Sequence, residues 1–217
     1  MPDRLAGLVE RAGSPRILVV GDLILDRYVW GDVSRISPEG PIPVLRVVSE
    51  ETRAGGAGNV VSNLLHLQSR AAVCGVVGDD AGGRTLTGIL TGQGADPAGI
   101  LPCPERPTSV KTRYMGFVQS ARRAVQHMLR VDHETTRIIP PEVEDRAVAH
   151  LRAAVPRQQA VVVSDYDKGF LTERVLRAAI DAAQAARVPV VTDPKMERPY
   201  AVYRGSTVIT PNRFETK

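Results

Sequence analysis

Acidic and amide side chains follow three successive apolar runs in the second half of the sequence. Asp165 follows the run AVVVS, and Asp193 follows the run VPVVT. Asn212 and Glu215 stand just behind the run TVIT. One acid after a strand is commonly a solvated loop residue, but three such cases in succession favour a face that binds Mg²⁺ and phosphate.

Lysine is rare in this chain, and its positions are informative. The sequence has 28 basic residues, and lysine occurs only in VKTR, SDYDKG, TDPK and at the last position. Taken alone, this distribution is explained equally well by chance. The functional interpretation is that the compact ammonium groups of Lys111, Lys168 and Lys195 approach phosphate oxygens more closely than a guanidinium fork.

The composition indicates one ordinary globular domain. The 217 residues are 43% hydrophobic and 24% charged, and the formal net charge is +4. The sequence contains no run of five like charges of the kind that indicates a nucleic-acid partner. No apolar stretch approaches the ~18 residues that span a bilayer. A charged N-terminus without an apolar signal core and only two cysteines predict a cytoplasmic protein without a disulfide framework. Leu5, Leu8 and Val9 predict a short lead-in helix.

Short apolar runs alternate with helical patterns, which predicts an α/β fold. RILVVG predicts a buried first strand, and the later runs predict parallel strands joined by right-handed crossovers. Residues 28–53 alternate apolar and polar positions and contain three prolines, which predicts a small β appendage. Residues 108–117 and 124–131 predict two strands around the tip VQSARR, and GADPAGILPCPERP predicts a loop.

The stretch GGAGN predicts a glycine-rich turn that opens a helix over residues 60–68. Such a turn allows the backbone to approach a ligand, and the helix N-terminus favours anions or hydroxyl groups. No Gly-Lys-Ser/Thr follows it, and Gly21 lacks a neighbouring glycine fingerprint, so neither a P-loop nor a dinucleotide-binding fold is expected. Close packing of the backbone alone explains the glycines about as well as ligand binding does.

Asp26, beyond the first strand, could accept two sugar hydroxyls or be a solvated acid.

Taken together, the motifs resemble those of ribokinase-like (PfkB) carbohydrate kinases. GDLILDRY, SRISPEGPIPV, GGAGN, VGDD, VKTR, RVDHE, SDYDKG, DPK and TPNRFE occur in the order typical of that family. GDLILDRY and SRISPEGPIPV more specifically resemble the D-glycero-D-manno-heptose 7-phosphate kinase domain, which occurs alone or fused to an adenylyltransferase. The resemblance implies a single domain over residues 1–217, with a mostly parallel central sheet, helices on both faces and a β lid over about residues 28–53. The lid implies a homodimer.

The resemblance also implies roles for individual residues. Asp26, Gly55, Gly56 and Asn59 match the family's sugar-binding positions. Lys111 and Arg113 are expected near the sugar phosphate. The positions expected to face ATP and its phosphates are Asp165, Lys168, Asp193, Lys195, Asn212 and Glu215, where Asn212 and Glu215 match an Asn-x-x-Glu element and Glu215 acts indirectly on Mg²⁺.

The implied reaction is phosphoryl transfer from MgATP to the anomeric hydroxyl of heptose 7-phosphate, giving the 1,7-bisphosphate for ADP-heptose biosynthesis. The family places the catalytic base in a Gly-Ala-Gly-Asp turn, and this sequence contains none. We therefore expect an incomplete kinase domain that binds the sugar but lacks the base, with its C-terminal part missing. The alternatives are another PfkB-type sugar kinase and a non-catalytic sugar-phosphate-binding protein.

Overall fold

The computed structural model describes residues 7, 11, 13–118, 124–196, 198–213 and 216. Leu5, Leu8 and Val9 of the predicted lead-in helix, most of the VQSARR tip and Glu215 lie outside the described residues.

The strands are β1 (Arg16–Gly21), β2 (Leu23–Ile36), β3 (Pro43–Gly56), β4 (Arg70–Gly78), β5 (Asp96–Cys103), β6 (Ser109–Val118), β7 (Ala124–His133), β8 (Ala160–Ser164), β9 (Val190–Asp193) and β10 (Val208–Ile209). The helices are α1 (Ala57–His66), α2 (Ala81–Gly92), α3 (Pro141–Ala154) and α4 (Glu173–Ala185), with 3₁₀ turns at Val155–Arg157 and Tyr200–Tyr203.

The central sheet has the strand order β10-β9-β8-β1-β4-β5, and every neighbouring pair in it is parallel. β1 lies in the middle, so its side chains are buried on both faces. Leu18 and Val20 pack in one core with α3 and α4, whereas Val19 packs in a second core with α1 and α2. This arrangement confirms the predicted α/β fold, since an apolar run buried on both faces needs helices on each side.

A second sheet has the order β3-β2-β6-β7 and forms the lid. β2 begins two residues after β1 ends and pairs antiparallel with β3 and parallel with β6. The lid sheet therefore begins before residue 28 and includes the β6–β7 hairpin. On one face Trp30 stacks between Tyr28 and Phe117, with ring centroids 6.3 and 6.0 Å away.

The loop predicted over GADPAGILPCPERP is wrong for most of its length. Residues 96–103 form β5, an edge strand of the described central sheet that pairs with β4. Pro97 and Pro102 led to the loop prediction, because proline cannot donate a ladder hydrogen bond. An edge strand tolerates proline, since its outward N–H positions have no partner strand. Cys103, at the end of β5, is buried, as is Cys74 in β4.

None of the described helices is long and apolar enough to cross a membrane.

Candidate active site

A polar cleft of about 420 Å³ opens between the lid sheet and the start of α1. It lies beside the carboxyl ends of the central strands, where Tyr166 follows β8. Strand carboxyl ends are the usual ligand-binding edge of an open parallel sheet. All the residues predicted to bind the sugar line this one cleft: Asp26, Gly55, Gly56, Asn59, Lys111 and Arg113.

The register of the lid sheet brings the acid and the cations together. β2 and β6 run parallel, so Lys111 lies opposite Asp26 and Arg113 lies opposite Tyr28. Arg113 Nη1 donates to Asp26 Oδ1 at 2.5 Å, with both side chains about four-fifths buried. Partial burial opposes the charge of Arg113, but the hydrogen bond that it donates to Asp26 and the negative charge nearby together outweigh this effect and raise the pKa of the guanidinium.

The turn between β3 and α1 is shaped by two glycines. Gly56 has a φ of +56°, and a Cβ there would lie 2.5 Å from the Asp22 carbonyl oxygen. A Cβ at Gly55 would collide with the Asp26 carboxylate. The first turn of α1 holds no acidic residue, and its N-terminus has no side-chain cap. Asn59 lies exposed in that turn, so the helix N-terminus offers polar hydrogen-bonding groups to the cleft.

Six further residues line the cleft that were not predicted: the apolar Ile24 and Ala54, and the polar or aromatic Tyr28, Arg53, Arg130 and Tyr166. Pairing in the lid sheet places Arg53 opposite Asp26 and Arg130 opposite Arg113. The strand alternation could have indicated Tyr28 and Arg53, because Tyr28 stands two residues from Asp26 and Arg53 two from Gly55. Arg130 depends on the β6–β7 register, and that register was not evident from the sequence.

The lining residues carry a strong positive bias. The cations are Lys111, Arg53, Arg113 and Arg130, and Asp26 is the lining acid. The guanidinium carbons of Arg53 and Arg113 lie 5.4 and 5.3 Å from the centroid of the Tyr28 ring. These contacts hold both arginines against an aromatic face. The cleft therefore combines one hydroxyl-accepting acid with several groups suited to a phosphate.

Lys168 is connected to Lys111 of the cleft through a shared partner, the carboxylate of Glu134. The Glu134 carboxylate contacts Lys168 Nζ at 2.8 Å and Lys111 Nζ at 3.1 Å, and Lys111 also binds Asp132 at 3.0 Å. Partial burial opposes ionisation of Glu134, but the two ammonium groups outweigh it and lower the pKa of this carboxyl. Glu134 was part of the RVDHE motif but was not predicted as a site residue.

Asp165 lies away from solvent. Its Oδ2 accepts hydrogen bonds from Arg198 Nη1 and Tyr203 Oη, each at 2.7 Å, and its side chain is fully buried. Burial and the Asp165 carboxylate raise the pKa of the Tyr203 hydroxyl. In this arrangement Asp165 joins β8 to the segment after β9.

The other residues predicted to face phosphate lie at the carboxyl ends of β9 and β10. Asp193 ends β9, and its carbonyl accepts the Asp165 N–H at 3.1 Å. Lys195 is partly buried and donates its backbone N–H to Tyr203 Oη at 3.2 Å. Asn212 is exposed, and its carbonyl accepts the Thr216 N–H at 3.2 Å. None of the described members of this set lines the sugar cleft.

Tyr166 lines the cleft and also lies near Asp193, at the end of β9. Burial raises the pKa of its hydroxyl, and the nearby carboxylates of Asp193 and Asp26 raise it further. Tyr166 is therefore near one predicted sugar-binding residue, Asp26, and one predicted phosphate-facing residue, Asp193. Within the described residues, no group of three His, Cys, Asp or Glu side chains is arranged to hold a metal ion.

A parallel sheet with helices on both faces, and a second sheet over a polar cleft at its carboxyl edge, defines the ribokinase-like class of fold. Solved structures agree with this class at the level of fold. Arabidopsis thaliana ribokinase complexed with ribose and ATP has a TM-score of 0.61 at 17% identity, covering 93% of this chain and 61% of that one. The tetrameric inhibited form of Escherichia coli phosphofructokinase-2 has a TM-score of 0.63 at 19% identity, covering 93% and 62%.

The chain belongs to the pfkB family of carbohydrate kinases, whose model matches residues 14–217. It is 44% identical over 213 residues to the bifunctional protein HldE of Geotalea uraniireducens, covering 98% of this chain and 42% of that protein. It is 45% identical over 210 residues to HldE of Geobacter sulfurreducens, covering 97% and 41%. The chain therefore spans about two fifths of the length of these curated relatives.

Proposed function

We propose that this chain binds D-glycero-D-manno-heptose 7-phosphate for ATP-dependent phosphorylation of the anomeric hydroxyl, the step that gives heptose 1,7-bisphosphate on the way to ADP-heptose. The observation that carries the proposal is the cleft itself, which places the Asp26 carboxylate among the basic side chains of Lys111, Arg53, Arg113 and Arg130. The motif resemblance and the similarity to HldE proteins support this particular sugar.

The two kinds of group in the cleft match the two ends of a sugar phosphate. A carboxylate with a second oxygen beyond its bond to Arg113 accepts sugar hydroxyls, and Gly55 leaves the space beside that oxygen. Guanidinium groups bind phosphate oxygens through paired N–H donors, and an ammonium adds a compact charge. Asn59, at the start of α1, supplies an amide for a further hydroxyl.

MgATP is proposed to bind at the carboxyl ends of β9 and β10. Lys195 supplies an ammonium, Asp193 a carboxylate and Asn212 an amide, and this donor set fits a metal-bound triphosphate. MgATP supplies the phosphoryl group and neutralises its charge. Asp165 fits this role less well, because Arg198 and Tyr203 already bind its carboxylate. No residue of this chain is assigned as the base, because the sequence contains no Gly-Ala-Gly-Asp turn.

We further propose a cytoplasmic homodimer formed through the lid sheet. Leu129 and Val131 of β7 are 58% and 46% exposed on the strand positions that alternate with Arg130. Apolar side chains that stand together on a sheet face are typical of a surface that another subunit covers. Sedimentation at several concentrations tests this, and a monomer at ~100 μM would contradict it.

Calorimetric titration of residues 1–217 tests the proposed substrate. Heptose 7-phosphate is expected to bind at least ~10-fold more tightly than heptose, ribose or fructose 6-phosphate, a margin of about 1.4 kcal/mol. Arg113→Met should remove most of that margin. Preference for ribose or fructose 6-phosphate would identify another sugar kinase, and absence of binding to every sugar phosphate would reject the proposal.

An ADP-release assay with MgATP separates binding from turnover. Residues 1–217 alone are expected to bind the sugar phosphate with turnover at least ~100-fold below that of HldE from Geobacter sulfurreducens, since general-base catalysis contributes about 10²–10⁴-fold. Turnover comparable to that of HldE would show that a residue of this chain acts as the base.

A further inference from the structure

Two buried charged residues lie on opposite sides of the loop that carries Tyr166 and Lys168. Asp22 is 2% exposed and Arg106 is 9% exposed, and neither lines the cleft. Burying a charge is unfavourable unless hydrogen bonds or an opposite charge compensate it. Both residues therefore need partners in the fold, and loop 165–170 supplies them.

Asp22 binds one side of the loop. Its Oδ2 accepts the backbone N–H groups of Tyr166 at 2.9 Å and Lys168 at 3.2 Å, and its Oδ1 accepts that of Phe170 at 3.3 Å. The alternate N–H groups of the loop thus converge on a single carboxylate. Burial and the charge of Asp165 raise the pKa of Asp22, whereas these three N–H groups oppose that shift.

Arg106 binds the other side of the loop and ties it to a second segment. Its Nη2 donates to the Lys168 carbonyl at 2.5 Å, and longer bonds of 3.4 Å reach the carbonyls of Thr135 and Arg137. The Ile139 N–H donates to the Gly169 carbonyl at 3.1 Å, so the two segments cross there. Burial lowers the pKa of the Arg106 guanidinium, and the negative charge of Asp22 opposes that shift.

The loop between these two residues has a backbone that needs support. Asp167 has a φ of +54° and Gly169 a φ of +83°, so two left-handed positions flank Lys168. A non-glycine residue in that region is strained and persists only where its surroundings determine it. A Cβ at Gly169 would also collide with the Arg137 carbonyl, which shows how closely the crossing segment lies.

We propose that Asp22 and Arg106 are positioning residues that hold loop 165–170 between them, so that Tyr166 forms a wall of the cleft and Lys168 reaches Glu134. Both residues act through the loop, since neither lines the cleft. The effect on sugar binding rests on the proposed function, whereas the effect on the loop itself does not. Loss of either residue is expected to free the loop and weaken sugar-phosphate binding.

The test compares Asp22→Asn and Arg106→Gln with Leu86→Ala in residues 1–217. Leu86 is fully buried in α2, in the core on the other side of the sheet, so its truncation lowers stability without touching the loop. Hydrogen exchange of the Tyr166, Lys168 and Phe170 amides and the Kd for heptose 7-phosphate are measured well below each variant's Tm. We expect at least ~10-fold faster exchange at these amides and at least ~5-fold weaker binding in the two variants alone.

Each alternative result is informative. Equal changes in Leu86→Ala would reduce Asp22 and Arg106 to ordinary contributors to stability and overturn the proposal. Faster exchange with an unchanged Kd would show that the loop does not serve the cleft, which also overturns it. If the wild-type chain binds no sugar phosphate, the proposed function fails, while the exchange rates still decide whether the two residues hold the loop. Should a variant not fold, Arg106→Lys keeps the charge, loses the three-way fork and gives the same two measurements.

Discussion

Asp26 and Arg113 are 87 residues apart in the sequence, and their side chains meet at 2.5 Å in the cleft. The parallel pairing of β2 with β6 brings them together, because that register places successive lid residues side by side. The contact orients the carboxylate before a ligand arrives. A preoriented acid among cations recognises a molecule that carries both hydroxyl groups and phosphate.

Asp26→Asn is therefore expected to weaken binding of the sugar phosphate. The amide loses the negative charge that accepts hydroxyl groups and leaves Arg113 without its ion-pair partner. Hydrogen bonds to charged groups contribute about 1.5–3 kcal/mol, so the Kd should rise roughly 10- to 150-fold. Calorimetry of the wild type and the variant at one pH measures the change.

Asp32→Asn is the matched control on the same strand. Asp32 forms an ion pair with Arg46 at 2.8 Å in which the Arg46 side chain is 78% exposed, and exposed pairs contribute little. Its Kd should equal that of the wild type. Equal losses in both variants would mean that Asp26 acts through the stability of β2 and does not bind the ligand.

Gly55→Ala should impair binding through shape alone. The new Cβ collides with the Asp26 carboxylate and forces that side chain away from Arg113. Overpacking of this kind typically costs about 1–3 kcal/mol. Urea unfolding should show the loss of stability, and calorimetry should show a weaker sugar phosphate complex.

Gly88→Ala is the control for Gly55→Ala, and we expect the opposite effect on stability. Gly88 lies exposed in α2, and a Cβ there meets nothing within 4 Å. Alanine in a helix interior is favoured over glycine by about 0.5–1 kcal/mol, so this variant should be more stable and bind normally. A destabilised Gly88→Ala would contradict the open surroundings of this position.

The sequence predicted most of the central sheet because its strands are short apolar runs, most of which adjoin a helix in the chain. It failed at β5, where Pro97 and Pro102 indicate a loop unless the strand is known to be an edge. Edge position is a property of the assembled sheet. Local pattern alone could not reveal it.

The candidate site could be predicted where the residue types alone indicate the ligand chemistry. Asp26, Lys111 and Arg113 carry the charges that sugar phosphates need, and they share the cleft. The orientation of the Asp165 side chain was not predictable. Its carboxylate binds Arg198 and Tyr203, which lie 33 and 38 residues further along the chain. Similarly, Arg130 enters the cleft only through the pairing of β7 with β6.

Thr172→Ala should destabilise the start of α4. Thr172 is the N-cap of α4, and its hydroxyl accepts the Val175 N–H at 3.1 Å and donates to Glu144 at 2.5 Å. Loss of an N-cap costs about 0.5–2 kcal/mol, and a lower urea midpoint with an unchanged slope would show it. Thr85→Ala, at an exposed position inside α2, should be neutral or slightly stabilising. Equal losses in the two variants would argue against a capping role.

Glu134→Gln should change how stability depends on acid. Lys168 and Lys111 lower the pKa of the Glu134 carboxyl in the folded protein below its ordinary value of 4.5. Its contribution to the free energy of unfolding is therefore complete above pH 4.5 and is lost as the pH falls through the lowered pKa. At about pH 6 the variant should be less stable by roughly 1.5–3 kcal/mol, the usual contribution of hydrogen bonds to charged groups.

The difference between wild type and Glu134→Gln should shrink as the pH approaches about 3, because protonated Glu134 no longer attracts either lysine. Urea unfolding at several pH values measures both curves. Glu39→Gln, an exposed change in the turn between β2 and β3, should follow the wild-type curve throughout. Parallel curves for wild type and Glu134→Gln would show that the two ammonium groups do not stabilise the ionised form of Glu134. The charged chain from Lys111 to Lys168 would then not link the lid sheet to loop 165–170.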